Sequence, residues 1–135
     1  MKSPIFTIIK NLIHLFTSHM SKSYTGKIIE ATENNTYFRQ VIFTGDKSQL
    51  VVMDIKPNEE IGEETHEHVE QTLFLLSGEG KSVLNGIEQP FIAGDAVVVT
   101  PGTKHNFVNT GSESLKIYTI YAPPNHIEGR VHKTK

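Results

Sequence analysis

Seven histidines and no cysteine restrict metal or proton-transfer chemistry in this chain to imidazole, carboxylate and amide groups. The histidines are unevenly placed. His66 and His68 lie in an acidic segment, Gly62-Glu-Glu-Thr-His-Glu-His-Val-Glu-Gln71, and His105 follows the turn Pro101-Gly102. Acid and imidazole together suggest a divalent cation. On an extended strand residues i, i+2 and i+4 share a face, so Glu64, His66 and His68 can all point one way while Thr65 and Glu67 point the other. They cannot all reach one ion. From 64 to 68 the backbone advances about 13 Å at roughly 3.3 Å per residue, against metal–ligand bonds of about 2 Å, so one end of the triplet is left out. Blander readings compete with this one. His68 could be a solvated strand residue, and Glu59, Glu60, Glu63, Glu64, Glu67 and Glu70 a solvated acidic face. His66 and His105 could be a hydrogen-bonded pair with no metal. His126 and His132, in the polar tail, read as surface residues.

The elements that must position these groups are short. From Tyr37 onward, runs rich in Val, Ile, Phe and Thr alternate with turn signals, which predicts strands over Tyr37–Thr44, Gln49–Ile55, Thr72–Leu76, Lys81–Leu84, Gln89–Phe91, Ala96–Thr100, His105–Asn109 and Lys116–Tyr121. Asn85-Gly86 is the clearest turn, because a two-residue type I′ turn needs positive φ at both positions, and it predicts a hairpin of Lys81–Leu84 with Ile87–Phe91. No helical period appears after residue 24. Strands with no helix between them favour an all-β jelly-roll barrel over a parallel α/β sheet. Before them, Ile5, Ile8, Ile9, Leu12, Ile13 and Phe16 recur at helical spacing, which predicts an amphipathic helix or arm within residues 1–24. Residues 25–135 then form the barrel with a short polar tail.

Composition narrows the partners. At 135 residues the chain is about one domain long, and a net charge of −2 gives no broad positive field to gather phosphates, so no nucleic-acid partner is expected. The N-terminal helix is too short and too interrupted by Lys10 to span a membrane, and it lacks the features of a signal peptide, so the cytoplasm is the expected location and no membrane partner is expected. The edge strand Tyr37–Thr44 needs covering, and a symmetric homodimer is the commonest way to do so.

At this point the residues carry a family resemblance. The chain resembles the cupin superfamily, whose second motif reads Gly-x5-Pro-x-Gly-x2-His-x3-Asn and is matched by Gly94-Asp-Ala-Val-Val-Val-Thr-Pro-Gly102-Thr-Lys-His105-Asn-Phe-Val-Asn109. The proline is displaced by one, to Pro101. The first motif, Gly-x5-His-x-His-x3–4-Glu-x6-Gly, is anchored by Gly78, which places Gln71 at the glutamate. Counting back puts His66 at the second histidine, Glu64 at the first and Asn58 at the opening glycine. A rival register pairs His66 with His68, but leaves too few residues before Gln71.

The resemblance implies a double-stranded β-helix (jelly-roll) cupin barrel holding a divalent metal, Fe, Mn, Zn or Ni, on Glu64, His66, Gln71 and His105. It also implies a metalloenzyme acting on a small, polar, oxygen-rich molecule (a sugar, sugar phosphate or uronate isomerase or lyase, or a dioxygenase), with His68 or Tyr118 as proton carrier. A non-catalytic binding module is the alternative. Small single-domain proteins of this kind are similar to those labelled mannose-6-phosphate-isomerase-like. Arg39 could pair with a substrate carboxylate or phosphate, although an outward-facing strand residue is the expected reading.

Overall fold

The computed structural model describes residues 22–135; the amphipathic helix expected over the first twenty residues lies outside them. The chain opens with a short helix, α1 (Ile28–Asn34), followed by β1 (Arg39–Thr44), β2 (Gln49–Ile55), β3 (Glu70–Ser77), β4 (Glu79–Leu84), β5 (Ile87–Ile92), β6 (Ala96–Val99), β7 (His105–Asn109), β8 (Leu115–Ala122) and β9 (Val131–His132). Each of the eight expected strands forms. They build a six-stranded sheet, in the order β6-β3-β8-β2-β1-β9, and a three-stranded sheet, β5-β4-β7. Every pairing is antiparallel.

Strand alternation decides what faces inward. On β3 the buried residues are Gln71, Leu73 and Leu75, and on β8 they are Leu115, Ile117, Thr119 and Tyr121. Register stacks them as Gln71 on Tyr121, Leu73 on Thr119 and Leu75 on Ile117. Phe91 and Phe107 come from the smaller sheet, with ring centroids 5.2 Å apart, and close the core from the other side. The interior is therefore apolar through Met53, Ile55, Leu75, Leu115 and Ile117, and turns polar at the level of Gln49, Gln71, His105 and Tyr121. Burying each large aliphatic side chain contributes about 1.5–3 kcal/mol, so the apolar end can offset a polar end that is costly to desolvate.

Two turns hold the smaller sheet in place. Asn85 and Gly86 both have positive φ, 49° and 82°, and join Leu84 to Ile87 as the dipeptide predicts. Gly78, at φ 92°, links β3 to β4, and a Cβ there would stand 2.4 Å from the Ser114 carbonyl oxygen. Any side chain would push β8 away.

Sequence periodicity missed two elements. The helix α1 has only seven residues, too few for a 3.6-residue repeat to show, and it holds on through Thr32, fully buried, whose hydroxyl donates back to the Ile28 carbonyl at 2.6 Å. The second is β9, in the segment expected to be a polar tail. It pairs His132 with Arg39 and Val131 with Gln40. That covering is intramolecular and reaches the first residues of β1. The tail is clamped by Gln49, which is 1% exposed: its amide donates to the His126 carbonyl at 2.8 Å and to Thr44 Oγ1 at 2.9 Å, while its oxygen accepts from the Asn125 and His126 amides. Among the described residues no helix is long and apolar enough to cross a membrane.

On the outer side of the large sheet, Asp54 is 2% exposed and accepts from Lys116 Nζ at 2.8 Å and Lys56 Nζ at 3.0 Å. Lys116 also donates to the Asn35 carbonyl, tying the end of α1 to β8. Burial raises the Asp54 pKa, but hydrogen bonds from Lys116, Ser114 and Lys56 outweigh it and hold the carboxyl below its ordinary 3.8. The unfolded chain then binds this proton at higher pH than the folded one, so the stabilisation is complete above the unfolded value and is lost as pH falls through the lowered one. Lys116→Met should cost about 3 kcal/mol in urea unfolding at pH 7, and the gap to wild type should narrow as pH falls below 3.8. An unchanged gap at low pH would contradict the assignment. Gln49→Ala should cost about 2–4 kcal/mol for the hydrogen bonds it removes, and limited proteolysis should then cut near His126 before the barrel opens.

Candidate metal centre

After Asn58 the chain runs antiparallel to β7. The Asn109 amide donates to Glu59 O at 3.0 Å and the Ile61 amide to Phe107 O at 2.9 Å, and Glu64 and His105 exchange both backbone hydrogen bonds at 2.9 Å. An exchanging pair sets its two side chains on one face. His66 is two residues further and shares that face, while its carbonyl accepts from the Gly102 amide at 2.8 Å. The turn that leads into His105 thus also fixes His66. Gly62 is held by Asn106 Oδ1 at 2.9 Å. Asn58, which stands at the place of the motif's opening glycine, has φ 67°. Asparagine tolerates this left-handed conformation better than most side chains, so the turn survives the substitution.

The result is a convergence of Glu64, His66 and His105, each presenting a ligand-type atom, with all of these atoms within 4.8 Å of one another. His66 Nε2 is 3.2 Å from Glu64 Oε2, and the two imidazole centroids are 5.2 Å apart at 47°. Both Nε2 atoms are buried without a directed hydrogen bond, so the metal-free hydrogen-bonded pair is not what forms. His105 Nδ1 lies 2.8 Å from the Thr103 carbonyl oxygen. A nitrogen facing a carbonyl must donate, which leaves the lone pair on Nε2, toward Glu64 and His66. His105 Nε2 is buried with no partner, and it converges with His66 Nε2 and the Glu64 carboxylate, so this donor set fits a divalent metal. Gln71 is 2% exposed and donates through Nε2 to Thr119 Oγ1 at 3.2 Å. Thr119 gives its own proton to Thr72 O at 2.8 Å, so it must accept from the amide, and this orients Gln71 with Oε1 as its remaining polar atom.

The two expected proton carriers are not brought to this cluster. His68 is exposed, one strand step beyond His66, which itself meets Gly102 in the turn before β7. Tyr118 points to the outer face of β8 and stacks on Phe74, centroids 4.9 Å apart at 13°. Alternation excludes it from the interior and admits Tyr121 instead, three residues on. Tyr121 is 2% exposed, with its ring 6.3 Å from His66. Burial pushes its phenol up to about 12, with the Arg39 guanidinium opposing and the Glu64 carboxylate adding to the rise. The period-two run Leu115, Ile117, Thr119, Tyr121 is the sequence signal that could have found it.

Three residues expected at the surface lie inside or half inside. Arg39, expected to face outward, is 8% exposed; its Nη1 donates to His132 Nδ1 at 3.1 Å, its guanidinium carbon sits 5.1 Å over the Phe38 ring, and Nε has no partner. The cause is β9, which seals the edge beside it. His126 packs edge-on against Tyr121, centroids 4.9 Å apart at 89°, and its Nε2 is buried without a partner. Burial, with Arg39, His132, Arg130 and His66 adding repulsion, lowers its pKa to about 4. His132 is also lowered, by burial and then by Arg39 and Arg130. Nothing local in the sequence signals these placements, because Gln49 and β1, which create them, are remote in the chain.

The comparisons agree with this fold. A Bacillus subtilis protein, described as uncharacterized protein YrkC, is 39% identical over 128 residues, covering 90% of this chain and 68% of its own length. The crystal structure of BH2720 from Bacillus halodurans superposes with a TM-score of 0.82 at 35% identity, covering 86% of this chain and 92% of that one. That of a predicted oxalate decarboxylase from Thermotoga maritima superposes with a TM-score of 0.55 at 27% identity, covering 57% and 67%. The cupin-domain family Cupin_2 matches residues 51–121, a span running from β2 to Tyr121 that takes in Glu64, His66, Gln71 and His105, and the chain belongs to that family.

Proposed function

We propose that Glu64, His66, Gln71 and His105 hold a divalent metal and that the protein is a metalloenzyme acting on a small oxygen-rich molecule in the polar end of the barrel. The observation that carries this reading is the convergence of the Glu64, His66 and His105 ligand atoms within 4.8 Å of one another, with His105 Nε2 buried and unpartnered. A metal there would polarise a bound hydroxyl or carbonyl oxygen and acidify bound water. Two imidazoles, one carboxylate and one amide oxygen form a donor set compatible with Fe, Mn, Ni or Zn. Around it, Thr103 fixes the His105 tautomer and Thr119 fixes the Gln71 amide. Tyr121 stays protonated at neutral pH, with a pKa near 12, so it can donate a hydrogen bond to a ligand oxygen. The likeness to a predicted oxalate decarboxylase supports chemistry on a small acid or hydroxy compound, within the broader range of sugar, sugar phosphate and uronate reactions.

Protein purified without chelator should carry about one equivalent of metal. His105→Ala and His66→Ala should weaken binding at least 100-fold, since even the loss of supporting groups costs roughly 10–100-fold. Less than about a tenth of an equivalent, with no further loss in His105→Ala, would end the metal reading. Glu64→Ala should weaken metal affinity far more than His68→Ala, and the opposite order would reverse the ligand assignment. Turnover of uronates, hexose phosphates or diols that is equal in wild type and His66→Ala would argue for a binding module instead of an enzyme.

A further inference from the structure

Beside the metal ligands lies a charge that nothing in the described residues neutralises. Arg39 is more than nine-tenths buried, and no carboxylate pairs with it: the ion pairs involve Lys22, Lys56, Lys81, Lys104, Lys116 and His66. An isolated buried guanidinium is costly unless a counter-ion arrives. Its surroundings supply none. His132 accepts from Nη1 through Nδ1, and Phe38 offers a ring face. The guanidinium also meets the Tyr121 hydroxyl; apart from Nη1 it offers Nη2 and Nε, the latter buried with no partner. These two form one planar edge with parallel N–H bonds, the fork that matches a carboxylate.

The fork is linked to the metal ligands through Tyr121. The tyrosine ring stands 6.3 Å from His66 and 4.9 Å from His126, and its hydroxyl lies against the Arg39 guanidinium. A divalent ion facing the single carboxylate of Glu64 keeps one positive charge, and Arg39 adds another. We infer that Arg39, assisted by the Tyr121 hydroxyl and His126 Nε2, binds the carboxylate of a small acid whose other oxygens reach the Glu64, His66 and His105 cluster. This rests on the metal reading for the second half of the ligand only. The anion fork stands without it.

Calorimetry on Mn(II)-loaded and metal-free protein tests the inference with two matched pairs, glycolate against ethylene glycol and galacturonate against galactose. In at least one pair the acid should bind loaded wild type about tenfold or more tighter than its neutral partner, a difference of roughly 1.4 kcal/mol. Arg39→Gln should reduce that ratio to about twofold or less while metal content stays equal, and Arg39→Lys, which keeps the charge but loses the fork, should fall between. Equal affinity for acid and neutral compound in both pairs overturns the inference from wild type alone, whether or not the variants fold. So does galactose 6-phosphate binding tighter than galacturonate with the same dependence on Arg39. Full metal loading with no acid preference would remove this inference and leave the metal reading intact. Arg39-dependent binding of acid by protein that takes up no metal would do the reverse.

Discussion

The structure depends on one pair of backbone hydrogen bonds, those exchanged by Glu64 and His105. They join two segments about forty residues apart and dictate that an acid and an imidazole emerge on one face. A slip of one residue would send His105 to the opposite side of β7, and with it the buried Phe107. Much of the nearby architecture prevents that slip. Asn85 receives the Lys104 amide on its side chain at 3.0 Å and donates its own amide to Lys104 O, fixing the chain just before His105. Asn109, at the other end of β7, donates to Ile55 O and Glu113 O and accepts from the Gly111 amide. Register is thus pinned at both ends by asparagines, one exposed in the turn before His105 and one buried at the end of β7.

The interior is divided along its length. One end is a plug of aliphatic and aromatic side chains, and its burial favours folding. The other end gathers Gln49, Gln71, His105, Thr119 and Tyr121, groups that lower stability unless each finds a partner. Gln49 and Thr119 do so entirely within the chain. The imidazoles of His66 and His105 and the guanidinium of Arg39 do not. The contrast with Asp54 is instructive, since that buried charge has two lysines and a lowered pKa. The barrel satisfies the buried charge of Asp54 within the chain, and leaves Arg39 Nε and His105 Nε2 without a partner at its polar end.

How much of this was legible in the sequence follows from which forces are local. Strands and the Asn85-Gly86 hairpin were legible because apolar alternation and left-handed φ are properties of a few consecutive residues. His66 and His105 were legible because turn chemistry and strand phase fix spacing within each motif. Tyr118 was chosen over Tyr121 because both are tyrosines on one strand, and only phase separates them. Arg39 and His126 were misread for another reason. Their burial is created by pairings across more than seventy residues, through Gln49 and β9, and no local pattern encodes such contacts. Helix α1 stayed invisible because two turns carry too little periodicity to rise above the flanking polar residues.

The tail has a practical side. His132, whose ring nitrogen receives the Arg39 guanidinium, is presented by a strand of two residues. A polyhistidine tag placed after Lys135 would tether competing imidazoles within a few residues of the wall that shapes the polar end. A tag at that end therefore belongs behind a linker that is cleaved before any metal is counted.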